Sequence, residues 1–300
     1  MKRGQHIPTA ILALGVLALL GGSLQTDPPP VGQGAAVQRE INDYDREVLG
    51  IEWVKVPGGS FQMGSEERFE EKPVHTVSVD GFHISRYEIT HLQFIIFLNS
   101  ISVTPRGESG EKLLVNIRDR DCPLGYEEAF YFKGSKYAKS PDTPVVNVTW
   151  FGASEFCRWL SQKTGKYIHL PTEAQWEYAA GGGAGEREFV YSGSNDYREV
   201  AWCVLNSGLQ LHPVGQKTPN GLGLYDMSGN AAEWCSDYFK PYYDFEWLDQ
   251  NPTGPSAGKT HVIKGGGWNN GAFALRNANR GGYLPDHSAI NLGFRIVMGE

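Results

Sequence analysis

Cysteine is scarce in this chain, with four residues in 300. They are Cys122, Cys157, Cys203 and Cys235, and no two form a C-x-x-C pair. That spacing excludes the common zinc and dithiol redox motifs. One or two structural disulfides, or buried free thiols, are both compatible with it. Basic runs are missing as well. Lys and Arg number 27 against 34 Asp and Glu, a net charge of −7, and no basic stripe interleaves with aromatics. Nucleic acid is therefore not expected as a partner. No H-x-H pair occurs among His75, His83, His91, His169, His212, His261 and His287. A histidine-based iron site would have to be gathered from distant parts of the chain. There is no internal repeat.

Long apolar runs are limited to one. Lys2 and Arg3 precede an unbroken stretch from Ala10 to Leu20, and Gly21-Gly22-Ser23 supplies small residues for cleavage. This reads as an export signal over residues 1–25. The run falls short of the roughly 20 residues a membrane helix needs, so no stable span is expected once the signal is cleaved. No cysteine follows it to carry a lipid. The product is expected in the periplasm, at the cell surface or secreted.

What is abundant is glycine (37), tyrosine (14) and tryptophan (8). This composition points to a loop-rich domain with aromatic anchors, and the length permits a large core. Pro28-Pro29-Pro30 and the small residues after it suggest a linker over 26–50, followed by one domain over 51–300. Glu52 to Val56, Pro57-Gly58-Gly59 and Ser60 to Gly64 read as a hairpin. Helices are expected over His91–Asn99, behind Thr90, and over Thr149–Gly165. A third begins at Thr172, whose spacing to Gln175 suits a capping box. Pro144–Val148, His261–Lys264 and Leu292–Val297 read as strands.

The densest signal is Asn220 to Trp234, where glycine, amides and carboxylates interleave with large apolar groups. That mixture suits a packed irregular turn whose backbone polar groups need partners outside a regular ladder. Calcium is one candidate partner, because it takes six to eight oxygens from carboxylates and carbonyls. Asp226 and Glu233 could supply carboxylates, and Gly229 and Ala231 carbonyls. Alternatively, the same carboxylates could cap backbone N–H groups.

In order along the chain stand Pro57-Gly58-Gly59, Met63-Gly64, Tyr87-Glu88-Ile89-Thr90 and Leu170-Pro171-Thr172-Glu173-Ala174-Gln175-Trp176. After them come Gly223-Leu224-Tyr225-Asp226-Met227-Ser228-Gly229-Asn230, Glu233-Trp234, Gly265-Gly266-Gly267-Trp268 and Gly293-Phe294-Arg295. With these, the chain resembles the formylglycine-generating enzyme family from about Ile51 to Val297. The resemblance implies an irregular α+β fold related to C-type lectins. It also implies a calcium site at Asp226, Gly229, Ala231 and Glu233. Oxidising members of the family hold copper through two cysteines in the segment that matches Trp268 to Arg276, and this segment has none. A non-catalytic binding or structural role follows as the expectation. Its ligand would be a protein, peptide or glycan, as in the variable lectin-like proteins that share the fold. The alternative is an oxidoreductase acting on a peptide-like substrate with a different metal. The expected contact face runs from Trp268 to Ile290, with Trp268, Asn270, Phe273, Arg280, Tyr283, Leu284 and His287 as its binding residues.

Overall fold

The computed structural model describes residues 44–184, 189–242 and 249–299. The signal segment and most of the linker lie outside these. Residues 44–50, assigned to the linker on composition, belong to the domain. A short helix, α1 (Tyr44–Glu47), starts it. Asp45 is fully buried against Lys166 Nζ at 3.0 Å, and Leu49 enters the main core.

Among the described residues the strands form two four-stranded sheets and three two-stranded ladders. The strands β1 (Trp53–Val56) and β2 (Gly59–Met63) do not pair with each other. Instead β2 pairs with β3 (His75–Val79), and β1 pairs with β4 (Phe82–Ser85), so one hairpin nests inside the other. The expected β1–β2 hairpin is thereby corrected. At the crossing point Gly58 lies so close to the β3–β4 turn that a Cβ would sit 2.9 Å from Gly81 N. Proline followed by two glycines reads as a tight turn, but here it lets the chain step from one sheet to another.

The first sheet runs β1, β4, β10 (Val297–Gly299), β5 (Ile168–His169). The second runs β8 (Gly281–Tyr283), β7 (His261–Lys264), β6 (Ala232–Tyr238), β9 (Leu292–Gly293). The segment read as one final strand is therefore split. Leu292–Gly293 pairs with β6, Val297–Gly299 pairs with β4 and β5, and buried Phe294, Arg295 and Ile296 carry the chain between the sheets. Pro144–Val148 makes only isolated bridges, Thr90 to Pro144 and Val115 to Val148.

The helices form where the capping residues place them. α2 (His91–Ser100) begins at a complete Thr90/Gln93 capping box. α3 (Trp150–Thr164) starts at Thr149 and stops at left-handed Gly165. α4 (Glu173–Ala180) begins at the Thr172/Gln175 box. A core cluster gathers Phe94, Phe97, Phe156, Trp159 and Phe294. A second cluster packs Trp176 and Tyr178 of α4 against Phe61, Phe82 and Val262. Low regular structure with aromatic anchors is the irregular α+β fold expected. Among the described residues, no helix is long and apolar enough to cross a membrane.

Candidate functional site

The Asn220–Trp234 stretch is an irregular turn as far as Ala231, and β6 begins at the next residue. Its path needs left-handed backbone at Gly223, Asp226, Gly229 and Asn230. Gly229 admits no substitute, because a Cβ there would lie 2.3 Å from Trp202 O. The amide of Asn230 ties the turn together. Its Oδ1 accepts from His212 N at 3.0 Å, and its Nδ2 donates to Glu88 Oε2 at 3.0 Å. Glu88 Oε1 accepts from Ala231 N at 2.8 Å. Glu88 is thus the cap of the turn, although it stands far from it in sequence.

The two carboxylates proposed for calcium have different surroundings. Asp226 Oδ2 accepts from Gly215 N at 2.7 Å, whereas Asp226 Oδ1 is buried and accepts from nothing. Burial pushes the Asp226 carboxyl up to about 6. Glu233 is saturated. Arg295 Nε approaches its Oε1 at 2.9 Å and its Oε2 at 2.7 Å, Arg295 Nη2 donates to Oε1 at 2.8 Å, and Trp176 Nε1 donates to Oε2 at 2.6 Å. Asp226 thus keeps one oxygen without a partner, whereas both oxygens of Glu233 are taken. Among the described residues, no group of three or more His, Cys, Asp or Glu is arranged to hold a metal ion. The cluster is nonetheless rich in acid. Burial, then the neighbouring charges of Asp226 and Glu233, drive the Glu88 carboxyl well above the ordinary carboxylate range.

The structure divides the residues expected on the contact face. Trp268 is only 3% exposed, its ring lies 4.8 Å from that of Tyr137, and its Nε1 donates to Ile290 O. Arg280 is 4% exposed, and Nε and Nη2 both reach Glu173, each at 2.6 Å. Neither side chain is free for a ligand, because Trp268 packs on Tyr137 and Arg280 is held by Glu173. Asn270 is half-buried, and its Oδ1 accepts from Gly267 N. Tyr283 (42%), Leu284 (53%) and Phe273 (49%) are exposed. The ring of Tyr283 stacks on that of His287 at 4.2 Å, while Phe273 lies beneath the Arg276 guanidinium at 4.0 Å.

All four cysteines are buried and free. Burial pushes the Cys122 thiol up to about 11 and the Cys157 and Cys235 thiols well above their ordinary value. The segment that would have to bear a thiol pair forms a single 3-10 turn, Ala272–Leu275, without sulfur.

Residues 38–299 match the sulfatase-modifying factor enzyme 1-like domain. The chain belongs to this family. It is 33% identical to the formylglycine-generating enzyme of Streptomyces coelicolor, over 81% of this chain and 88% of that one. It is 31% identical to the serine/threonine-protein kinase Pkn1 of Chlamydia trachomatis, over 92% of this chain but only 42% of the kinase. Among solved structures, PvdO from Pseudomonas aeruginosa superposes with a TM-score of 0.68 at 26% identity, covering 83% of this chain and 95% of PvdO. Variable protein 1 of Treponema denticola gives a TM-score of 0.66 at 25% identity, with the same coverages. The family assignment accounts for the absence of a close cysteine pair as a departure within an intact scaffold. Sequence reasoning assigned no role to Glu88 and Arg295. The signal was present, since Arg295 sits between Phe294 and Ile296 in an apolar stretch and so requires a buried anion.

Proposed function

We propose that this protein is an exported, non-catalytic ligand-binding member of the sulfatase-modifying factor family. The observation that carries the reading is the state of the sulfur. The segment where oxidising relatives bind copper has no cysteine, and every thiol in the chain is buried, mostly with its thiolate disfavoured. Likeness to a variable protein supports a displayed binding face, and here the exposed Tyr283 and Leu284, with half-buried His287 stacked on Tyr283, offer one. The leader-like residues 1–25 support export.

Calcium is proposed as a structural ion of the Asp226 turn. Three buried carboxyl groups, Glu88, Asp226 and Glu233, share one guanidinium, Arg295, so a further cation would favour ionisation of those that burial holds neutral. Asp226 Oδ1 and the carbonyls of Gly229 and Ala231 would hold the ion. Glu233 would join only by giving up Arg295.

Metal analysis of the protein purified without chelator tests both parts. The expected result is calcium without copper or iron, and no oxygen uptake with a thiol-bearing peptide. Stoichiometric copper or iron with oxygen consumption would instead support the oxidoreductase reading.

A further inference from the structure

A cleft of about 1030 Å³ shares no residue with the Asp226 turn or the Tyr283 surface. It opens beside β5 and β6, and a neighbouring hollow of about 410 Å³ shares Tyr167, His169 and Ser236 with it. Two groups of ring contacts border this space, one tilted and one stacked. In one, Tyr167 is 74% exposed and its ring centre lies 4.9 Å from that of His169. In the other, Tyr238 stacks on His261 at 4.5 Å, and His261 stacks on Trp150 at 3.9 Å and 14°. The Tyr238–His261–Trp150 stack is therefore held in place before any ligand arrives, while the Tyr167 ring stands open to it.

Between the rings the lining is neutral and polar. Gln175 Oε1 accepts from Thr172 N at 3.0 Å, which fixes the amide and leaves its NH₂ group available. His169 Nδ1 donates to Leu170 O at 2.8 Å, so Nε2 is left as an acceptor. Burial lowers the His169 pKa, which keeps the ring uncharged at neutral pH. Thr253 and Ser256 add hydroxyls. The charged group in the larger lining is Asp80, already engaged by Asn251 Nδ2 at 2.7 Å. Arg158, beside the smaller hollow, is paired with Glu155.

We propose that this cleft binds a neutral oligosaccharide. A sugar ring has a C–H face that lies against an aromatic face and equatorial hydroxyls that need amide, hydroxyl and imidazole partners. The cleft supplies both kinds of group. Its larger lobe has no Lys or Arg in its described lining, so a phosphate, sulfate or uronate would meet no cation. A lipid would leave the amide and hydroxyls unpaired. An extended peptide recognised along its backbone would use a sheet edge, and the edge strand here, β5, is only two residues long and is soon followed by Pro171. The volume is at the upper end of small-ligand sites, which suits several linked rings.

Titration of the full-length protein with a panel of neutral gluco-, manno-, galacto- and N-acetylglucosamine oligosaccharides tests the assignment. Calorimetry is expected to show binding to at least one of them. Tyr167→Ala should weaken that binding about three- to tenfold, the range expected for one aromatic contact. Tyr167→Phe should retain it, and melting temperatures should not change, since Tyr167 is largely exposed. Tyr283→Ala should leave it intact, which separates this cleft from the surface proposed above. The assignment is overturned if no member of the panel binds at millimolar concentration. Equal affinity in Tyr167→Ala, or preference for a sulfated sugar or a peptide, overturns it too.

Discussion

Within one stretch, residues 273–295, two kinds of side chain behave in opposite ways. Arg276, Arg280 and Arg295 are 7%, 4% and 0% exposed. Each is clamped to a carboxylate far away in sequence: Glu71, Glu173 and Glu233. Phe273, Tyr283 and Leu284, interspersed with them, are 42–53% exposed and face solvent. The arginines fasten this part of the chain to the rest of the domain. The exposed side chains between the fastenings can then vary without unfolding it, whereas buried Ala278, Leu292 and Phe294 cannot. A polar, charged segment that reads as a binding loop is thus half framework and half surface.

The largest effect expected from breaking this contrast is on the framework side. Arg295→Met leaves Glu233 buried with only Trp176 Nε1 as a donor. A loss of about 3–5 kcal/mol in unfolding free energy is expected, read by urea denaturation. Replacing Glu233 by Gln in the same chain should recover part of it, because the stranded charge is then gone. If Arg295→Met unfolds at the same urea concentration as the parent, the fastening role is wrong.

Acid sensitivity sharpens the comparison next. His91 is fully buried at the start of α2, its Nδ1 lies 3.1 Å from Thr143 O, and burial pushes it down to about 3. A depressed histidine is neutral in the fold and favours the folded state only while the unfolded chain is neutral too. Its contribution is whole above about 6.5 and is lost as pH falls toward about 3, at about 1.4 kcal/mol per pH unit. His91→Gln should flatten that slope in denaturation curves taken between pH 7 and pH 4.

Asp226 works in the other direction. Its carboxyl is raised to about 6, so the fold favours the protonated form. This part of the stability is present below the ordinary carboxylate value and is lost as pH rises through about 6, a penalty of about 3 kcal/mol. A bound calcium ion would offset the penalty only in the ionised state. Chelation should therefore lower the melting temperature above pH 6 and have little effect near pH 4. Equal effects at both values would remove Asp226 from the proposed calcium site.

These contrasts show what the sequence made legible. Helix starts were readable because Thr90, Thr149 and Thr172 act through neighbours three residues away. The family motifs were readable because each is a short contiguous string. Pairings across the chain were not. Pro57-Gly58-Gly59 has the local chemistry of a hairpin turn, and only the positions of β3 and β4 send its strands into different sheets. Arg280 looks like a ligand-binding residue until Glu173, 107 positions away, is seen to hold it. The same applies to Glu233, whose spacing from Asp226 suits calcium while Arg295 occupies its oxygens. Local spacing identifies candidate donors, but competition from distant partners decides which of them stay free.

The smallest stability effect belongs to the exposed half, and it is the most informative about function. Tyr283 sits on β8, opposite His261 of β7, and its ring rests on His287. Removing this ring exposes little that was buried, so Tyr283→Ala and Leu284→Ala should each change stability by no more than about 0.5 kcal/mol. If the face is a contact surface, the double variant should lose a partner that the parent retains, and rim substitutions away from it should not. The pairing of outcomes matters more than either alone. Lost binding with unchanged melting places the residues in the surface class, while lost melting places them with Arg280 and Arg295 in the framework. Binding would be followed by crosslinking in the native culture medium, with the partner then purified and titrated against both variants. A parent and double variant that titrate identically would reassign this edge of the sheet to a merely solvated loop.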